Sequence, residues 1–219
     1  MKTTERILTA AKDIWASYNE HPFLRGIQDG TLDREKFRYY LIQDYLYLEE
    51  FTKVFSIGIA KAKSQETMQL FSQFVTLLIE QELDIHRGYI GKLAVSREEI
   101  DATPRALDNL SYTSYMLRIA YEAGEAEILT AILPCAYSYE VIAKNILRRN
   151  PAAADHPFYG EWIKTYAGSY GDINVVLLET IDRLTEHYTE AQLRHLEEIF
   201  IACSRYELAF WELGWNMSK

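Results

Sequence analysis

The stretch Ile132-Leu133-Pro134-Cys135-Ala136-Tyr137-Ser138-Tyr139-Glu140 decides how the rest of the chain is read. It lies within the series Ile128, Ile132, Cys135, Tyr139, Ile142 and Ile146, whose steps of three and four predict a buried helix ending near Arg149. Pro134 interrupts that helix: it has no N–H to give, takes the Thr130 carbonyl out of the ladder and costs roughly 3 kcal/mol. Cys135 and Tyr139 stand four residues apart and so share one helix face. A thiol, a phenol and a locally opened backbone on one face mark a candidate site. The plainer alternative is a cysteine used as a small core residue.

Outward from this helix the same periodicity recurs, and the 10 glycines and 5 prolines sit at plausible joints. Helices are expected over 4–19, 22–27, 33–62, 64–93, 104–122, up to 149, 158–167, 173–187 and 189–215. Asp33 is placed as the cap of the second long helix, and Pro104 in the first turn of the fourth. Asn150-Pro151 through His156-Pro157 reads as loop. No repeat, low-complexity tract or linker interrupts the chain. The expectation is an all-α fold, one helical bundle with residues 1–219 as a single domain.

Composition narrows the function classes. Lys and Arg number 23 against 32 Asp and Glu, a formal charge of −9. Such a surface repels phosphate backbones and anionic membranes, and no basic cluster denser than Arg148-Arg149 offsets it, so neither nucleic acid nor membrane is an expected partner. Cys135 and Cys203 both fall in predicted helix interiors, which suits reduced thiols and a cytoplasmic location. Met1 to Arg6 leads into an amphipathic pattern rather than a signal peptide, and Phe74 to Ile79 is too short to span a bilayer. The 16 tyrosines fit either a cavity for a flat, partly polar ligand or an aromatic core and subunit interface.

Carboxylates on apolar stripes carry the next signal, because an ionised group in a core is costly unless paired. Asp44 sits in the stripe Tyr40, Asp44, Tyr47, Phe51, Val54. Glu207 sits in Leu196, Phe200, Cys203, Glu207, Phe210, Gly214. Glu82 sits in Phe71, Val75, Leu78, Glu82, Ile85, Tyr89. Each fits a structural hydrogen bond to a neighbouring Tyr or Arg as well as a catalytic acid. Cys203 reads as packing, one turn from Glu207. Glu82 and His86 have metal-ligand spacing, but a di-iron bundle needs a second Glu-x-x-His that this chain lacks, so no metal is expected.

Taken in order, several pieces resemble the TenA/thiaminase II family. They are His21-Pro22-Phe23, Gln43-Asp44-Tyr45-Leu46-Tyr47, Glu82 to His86, Tyr112, Leu133 to Tyr139, Trp162 to Tyr166, and Tyr206 to Trp211. The resemblance implies a haem-oxygenase-like helical bundle, a homotetramer without a cofactor, and an aminopyrimidine substrate. It implies hydrolysis of the 5-aminomethyl pyrimidine, or of thiamin, to 4-amino-5-hydroxymethyl-2-methylpyrimidine. It further implies Cys135 as nucleophile, Glu207 as acid and base, ring contacts from Asp44, Tyr112 and Tyr139, and aromatic walls at Tyr47 and Tyr166. The presence of Cys135 places the chain in the cysteine-containing class. Spacing does not distinguish an amine from a thiazole as leaving group. Two other functions stand beside this one: a non-catalytic, pyrimidine-binding regulatory protein, and a metal- or quinone-dependent oxidase of the same fold.

Overall fold

Capping chemistry sets the helix starts. In the computed structural model, which describes residues 1–168 and 171–218 and the side chains of these except 81–87, every regular element is a helix. In chain order they are α1 (Thr3–Ala10), α2 (Lys12–Tyr18), α3 (Pro22–Asp29), α4 (Arg34–Lys61), α5 (Gln65–Leu77), a π-turn (Leu78–Glu82) and α6 (Leu83–Lys92). There follow α7 (Arg97–Ala102), α8 (Leu107–Glu122), α9 (Glu125–Arg149), a 3-10 turn (Pro151–Asp155), α10 (Gly160–Gly168), α11 (Gly171–Leu184) and α12 (Glu190–Asn216). Asp33 caps α4 by accepting from Glu35 N at 2.9 Å, as expected. His21 caps α3, its Nδ1 accepting from Phe23 N at 3.2 Å with Pro22 in the first turn. Gly30 ends α3 in the left-handed region (φ 71°), and a Cβ there would also meet the His156 ring at 2.5 Å.

The chain forms two compact units, one of residues 1–32 and 129–208, the other of residues 33–128 and 209–219. In the first unit, α1 is tied to α11 by Thr4, whose backbone N–H and hydroxyl both donate to Asp182, at 2.9 Å and 2.9–3.0 Å. α2 instead turns Trp15 and Tyr18 toward α12. The single helix expected over 4–19 therefore breaks at Ala11 (φ −102°, ψ 7°), which lets the two halves follow different partners. Tyr159 donates its phenol to the Leu32 carbonyl at 2.6 Å and closes the unit across its sequence gap.

In the second unit, α4 carries the predicted stripe inward: Tyr40, Asp44, Tyr47, Phe51 and Val54 are all buried. Tyr40 stacks on Trp211 at 5.6 Å, Phe55 on Phe74 at 4.9 Å, and Tyr47 meets Phe210 edge-on at 5.5 Å. Two departures from the expected helices occur here. The helix predicted from Ser64 to Leu93 is interrupted by the π-turn, which rotates the following face relative to a continuous α-helix. Pro104 does not start α8. Fully buried Gln43 takes the Pro104 carbonyl with its Nε2 (2.9 Å) and the Ala106 N–H with its Oε1 (3.0 Å), holding 104–106 extended. Asn109 then donates to the Gln43 backbone and side-chain oxygens at 2.7 and 3.1 Å. α7 had no counterpart in the sequence reading, although Ser96 caps it through Glu99 N at 3.1 Å.

α9 is long and apolar enough to cross a bilayer by length and composition, yet 72% of its most apolar window is buried inside the protein. It keeps helical form through Pro134, as expected.

Gln43→Ala leaves the buried Ala106 N–H and the Asn109 amide short of acceptors, so unfolding free energy should fall by about 2–4 kcal/mol. Urea denaturation checks this, and a loss under about 0.5 kcal/mol would mean that 104–106 is held by something else.

Candidate functional site

A buried run of α9 ends at the residue the sequence singled out. Leu129 through Pro134 are buried, then Cys135, Ala136 and Tyr137 are half-exposed, then Ser138 to Glu140 are buried again. Cys135 is not in a disulfide. One turn on, Tyr139 packs its ring 4.8 Å from that of Tyr166 on α10, and Trp162 lies 4.8 Å from Tyr166 and 6.0 Å from Tyr139. All three rings are at most 6% exposed, which makes an aromatic group beside the thiol's helix. Glu140 turns elsewhere: it accepts from Asn174 Nδ2 at 2.6 Å and from Lys144.

Glu207 is 2% exposed on α12, one turn beyond fully buried Cys203. Burial, and then the negative charge of Glu207, push the Cys203 thiol well above its ordinary range, so it stays protonated and unreactive. The packing role expected for Cys203 fits this environment.

A residue absent from the sequence-based candidates joins these groups. Tyr18 of α2 is 1% exposed and donates its hydroxyl to the Ser204 carbonyl at 2.6 Å. Its phenol is pushed far up, first by burial and then by the charge of Glu207, with Cys203 and Cys135 adding to it and Ser204 acting the other way. Trp15, one turn before Tyr18, donates from Nε1 to Ser204 Oγ at 2.9 Å, and its ring lies 5.8 Å from Tyr137 and 5.7 Å from Phe200. In sequence, Trp15 and Tyr18 show only a three-residue aromatic spacing, which any core helix can have.

The second unit holds the remaining expected residues. Asp44 is 5% exposed and accepts from the Tyr40 hydroxyl at 3.3 Å, a pairing that the four-residue spacing of the stripe already allowed. Tyr47 and Tyr112 lie with ring centres 5.3 Å apart, and the Tyr47 hydroxyl meets Met116 Sδ at 3.7 Å. A carboxylate next to a phenol and a tilted tyrosine pair is suited to a heteroaromatic ring with an amino substituent. The side chains of Glu82 and His86 lie outside the described residues. Among the described residues, no group of three His, Cys, Asp or Glu side chains is placed to hold a metal ion.

Comparison with known proteins adds to this geometry. The model of the TENA/THI-4/PQQC family matches residues 8–217. The chain belongs to this family. It is 39% identical to an aminopyrimidine aminohydrolase of Helicobacter pylori, covering 99% of this chain and 100% of that one. Its identity to the aminopyrimidine aminohydrolase of Halalkalibacterium halodurans is 38%, over 94% and 92% of the two chains. Among solved structures, a TenA homologue from P. horikoshii superposes with a TM-score of 0.87 at 31% identity, covering 99% of each chain. A Shewanella denitrificans domain with a heme oxygenase-like fold superposes at 0.72 with 12% identity over 97% and 90% of the two chains, and shows the fold alone. The all-α, haem-oxygenase-like expectation therefore holds for this TENA/THI-4/PQQC member.

The two thiols differ enough in exposure to be told apart chemically. Native protein should take up close to one equivalent of iodoacetamide per chain, at Cys135, while Cys203 reacts only after denaturation. Peptide mapping by mass spectrometry checks this, and labelling of Cys203 in the folded protein would contradict its burial.

Proposed function

We propose that this protein is an aminopyrimidine hydrolase of thiamin salvage, acting as a single domain over residues 1–219. Its substrate is 4-amino-5-aminomethyl-2-methylpyrimidine, or thiamin, and its product 4-amino-5-hydroxymethyl-2-methylpyrimidine. One observation carries the reading at residue level. Cys135 leaves the buried run of α9 directly after Pro134 and Glu207 is a buried carboxyl on α12, in a chain related end to end to aminopyrimidine aminohydrolases.

The residue roles are those the family resemblance implies, and they suit the chemistry the reaction needs. An aminopyrimidine carbon accepts a nucleophile poorly until its ring nitrogen is protonated or strongly hydrogen-bonded. Asp44 supplies that interaction to the ring nitrogen and exocyclic amine, with Tyr112 and Tyr139 contacting the ring and Tyr47 and Tyr166 forming aromatic walls. Cys135, as thiolate, adds to the ring next to the side arm. Electrons returning through the ring expel the leaving group, which takes a proton from Glu207. Glu207 then takes a proton from water as its oxygen bonds to the side-arm carbon, and the thiolate departs. The balance for the aminomethyl substrate is one water consumed and one ammonia released.

The acidic composition and the unbridged cysteines support a cytoplasmic location. The family resemblance supports a homotetramer, and Leu107, Leu110 and Tyr121, exposed on α8, support an apolar subunit contact on that helix. Light scattering of the purified protein should then report a mass near four 25.5 kDa chains.

Cys135→Ser and Glu207→Gln should each lower kcat by about 100-fold or more, since nucleophile and proton-transfer groups contribute on that scale. Steady-state release of the hydroxymethyl pyrimidine from the aminomethyl pyrimidine and from thiamin measures it, and the ratio of kcat/KM values identifies the leaving group. Undiminished turnover in either variant would overturn its residue's role. Tight pyrimidine binding by wild type with no turnover would indicate a non-catalytic carrier.

A further inference from the structure

We infer that Trp15 and Tyr18 of α2 are positioning residues that hold the Cys135 turn of α9 and the Glu207 turn of α12 in their reactive arrangement. The inference rests on the catalytic reading of Cys135 and Glu207 given above.

The geometry has two parts. First, both polar groups of Ser204, three residues before Glu207, are bonded to α2: its carbonyl accepts from Tyr18 at 2.6 Å and its hydroxyl from Trp15 at 2.9 Å. A helical carbonyl already has its own i+4 donor in the ladder, so the extra donation from Tyr18 is a second bond on the same oxygen. It fixes how far α12 can rotate at Glu207. The Trp15 ring meanwhile lies against Tyr137, the half-exposed residue two beyond Cys135, and against Phe200 on α12. One short helix therefore grips the turn carrying the nucleophile and the turn carrying the acid.

The second part is the direction of one proton. A carbonyl cannot donate, so the Tyr18–Ser204 bond commits the phenolic proton to Ser204. Burial first, and then the charge of Glu207, keep Tyr18 a neutral phenol throughout the working pH range, so that the bond to α12 persists across it. The grip on the Glu207 turn is therefore a fixed constraint, and its loss should lower turnover at every pH alike.

The test is Tyr18→Phe, which keeps the ring and removes the hydroxyl, assayed on the aminomethyl pyrimidine across pH beside wild type, Cys135→Ser and Glu207→Gln. The expected result is a fall in kcat of about tenfold with KM changed less than about twofold and the shape of the pH profile kept. An unchanged kcat, or a loss carried by KM instead, would overturn the inference and leave Tyr18 a packing residue. If Cys135→Ser and Glu207→Gln remain active, the reading beneath it fails instead, whatever Tyr18→Phe does. Should Tyr18→Phe not fold, Trp15→Phe keeps a ring and removes only the indole donor to Ser204. The same split of kcat from KM is expected there, and an unchanged kcat would overturn the inference equally.

Discussion

A proline in the middle of a buried helix constrains much of the first unit. Pro134 removes a backbone bond and crowds the preceding turn, a penalty of roughly 3 kcal/mol that packing has to offset. The offset is visible in the residues before it: Leu129, Thr130, Ala131, Ile132 and Leu133 are all at 0% exposure. Burying apolar side chains of this size contributes about 1.5–3 kcal/mol each, so α9 tolerates the break. The return is positional. Cys135 leaves the buried segment directly after the disturbed turn, while Tyr139, one turn later, is buried again against Tyr166 and Trp162.

Around that helix the unit spends tyrosine and tryptophan in two ways that area alone would not separate. Tyr139, Trp162 and Tyr166 contribute ring faces. Tyr18 and Trp15 contribute their polar tips, to the backbone and hydroxyl of one serine. In the second unit Tyr40 uses its tip on Asp44 and its face on Trp211. This double use of an amphipathic ring lets a buried tyrosine such as Tyr40 both pack in a core and partner its carboxylate.

The fold was largely legible because helices announce themselves locally: Asp33, Pro22, Gly30 and the stripes on α4, α9 and α12 all behave as their spacing requires. What escaped was decided at a distance. Pro104 misled because Gln43, some sixty residues away in sequence, captures the backbone on either side of Arg105. The break at Ala11 depends on Asp182 and Ser204 pulling the two halves of one amphipathic pattern to different partners. The π-turn at Leu78–Glu82 leaves no mark in apolar periodicity. Of the candidate site, the thiol and the buried carboxyls were readable as polar groups on apolar stripes. Tyr18 was not, since a core tyrosine and one whose hydroxyl fixes a neighbouring helix have the same spacing.

Cys135 and Cys203 show how far residue type underdetermines chemistry. Both are helical and neither is in a disulfide. Cys203 sits at 0% exposure one turn from a negative carboxyl, which holds its proton on twice over, by desolvation and by charge. Cys135 sits where the buried run of α9 ends and is only partly buried. A nucleophile needs access and a thiolate; a packing residue needs neither. The same Glu207 that suppresses ionisation of Cys203 is the proton carrier proposed to work with Cys135, so one carboxyl keeps one thiol inert while serving the other. Selectivity between two identical functional groups thus comes from helix position, and in α9 that position was set by a proline.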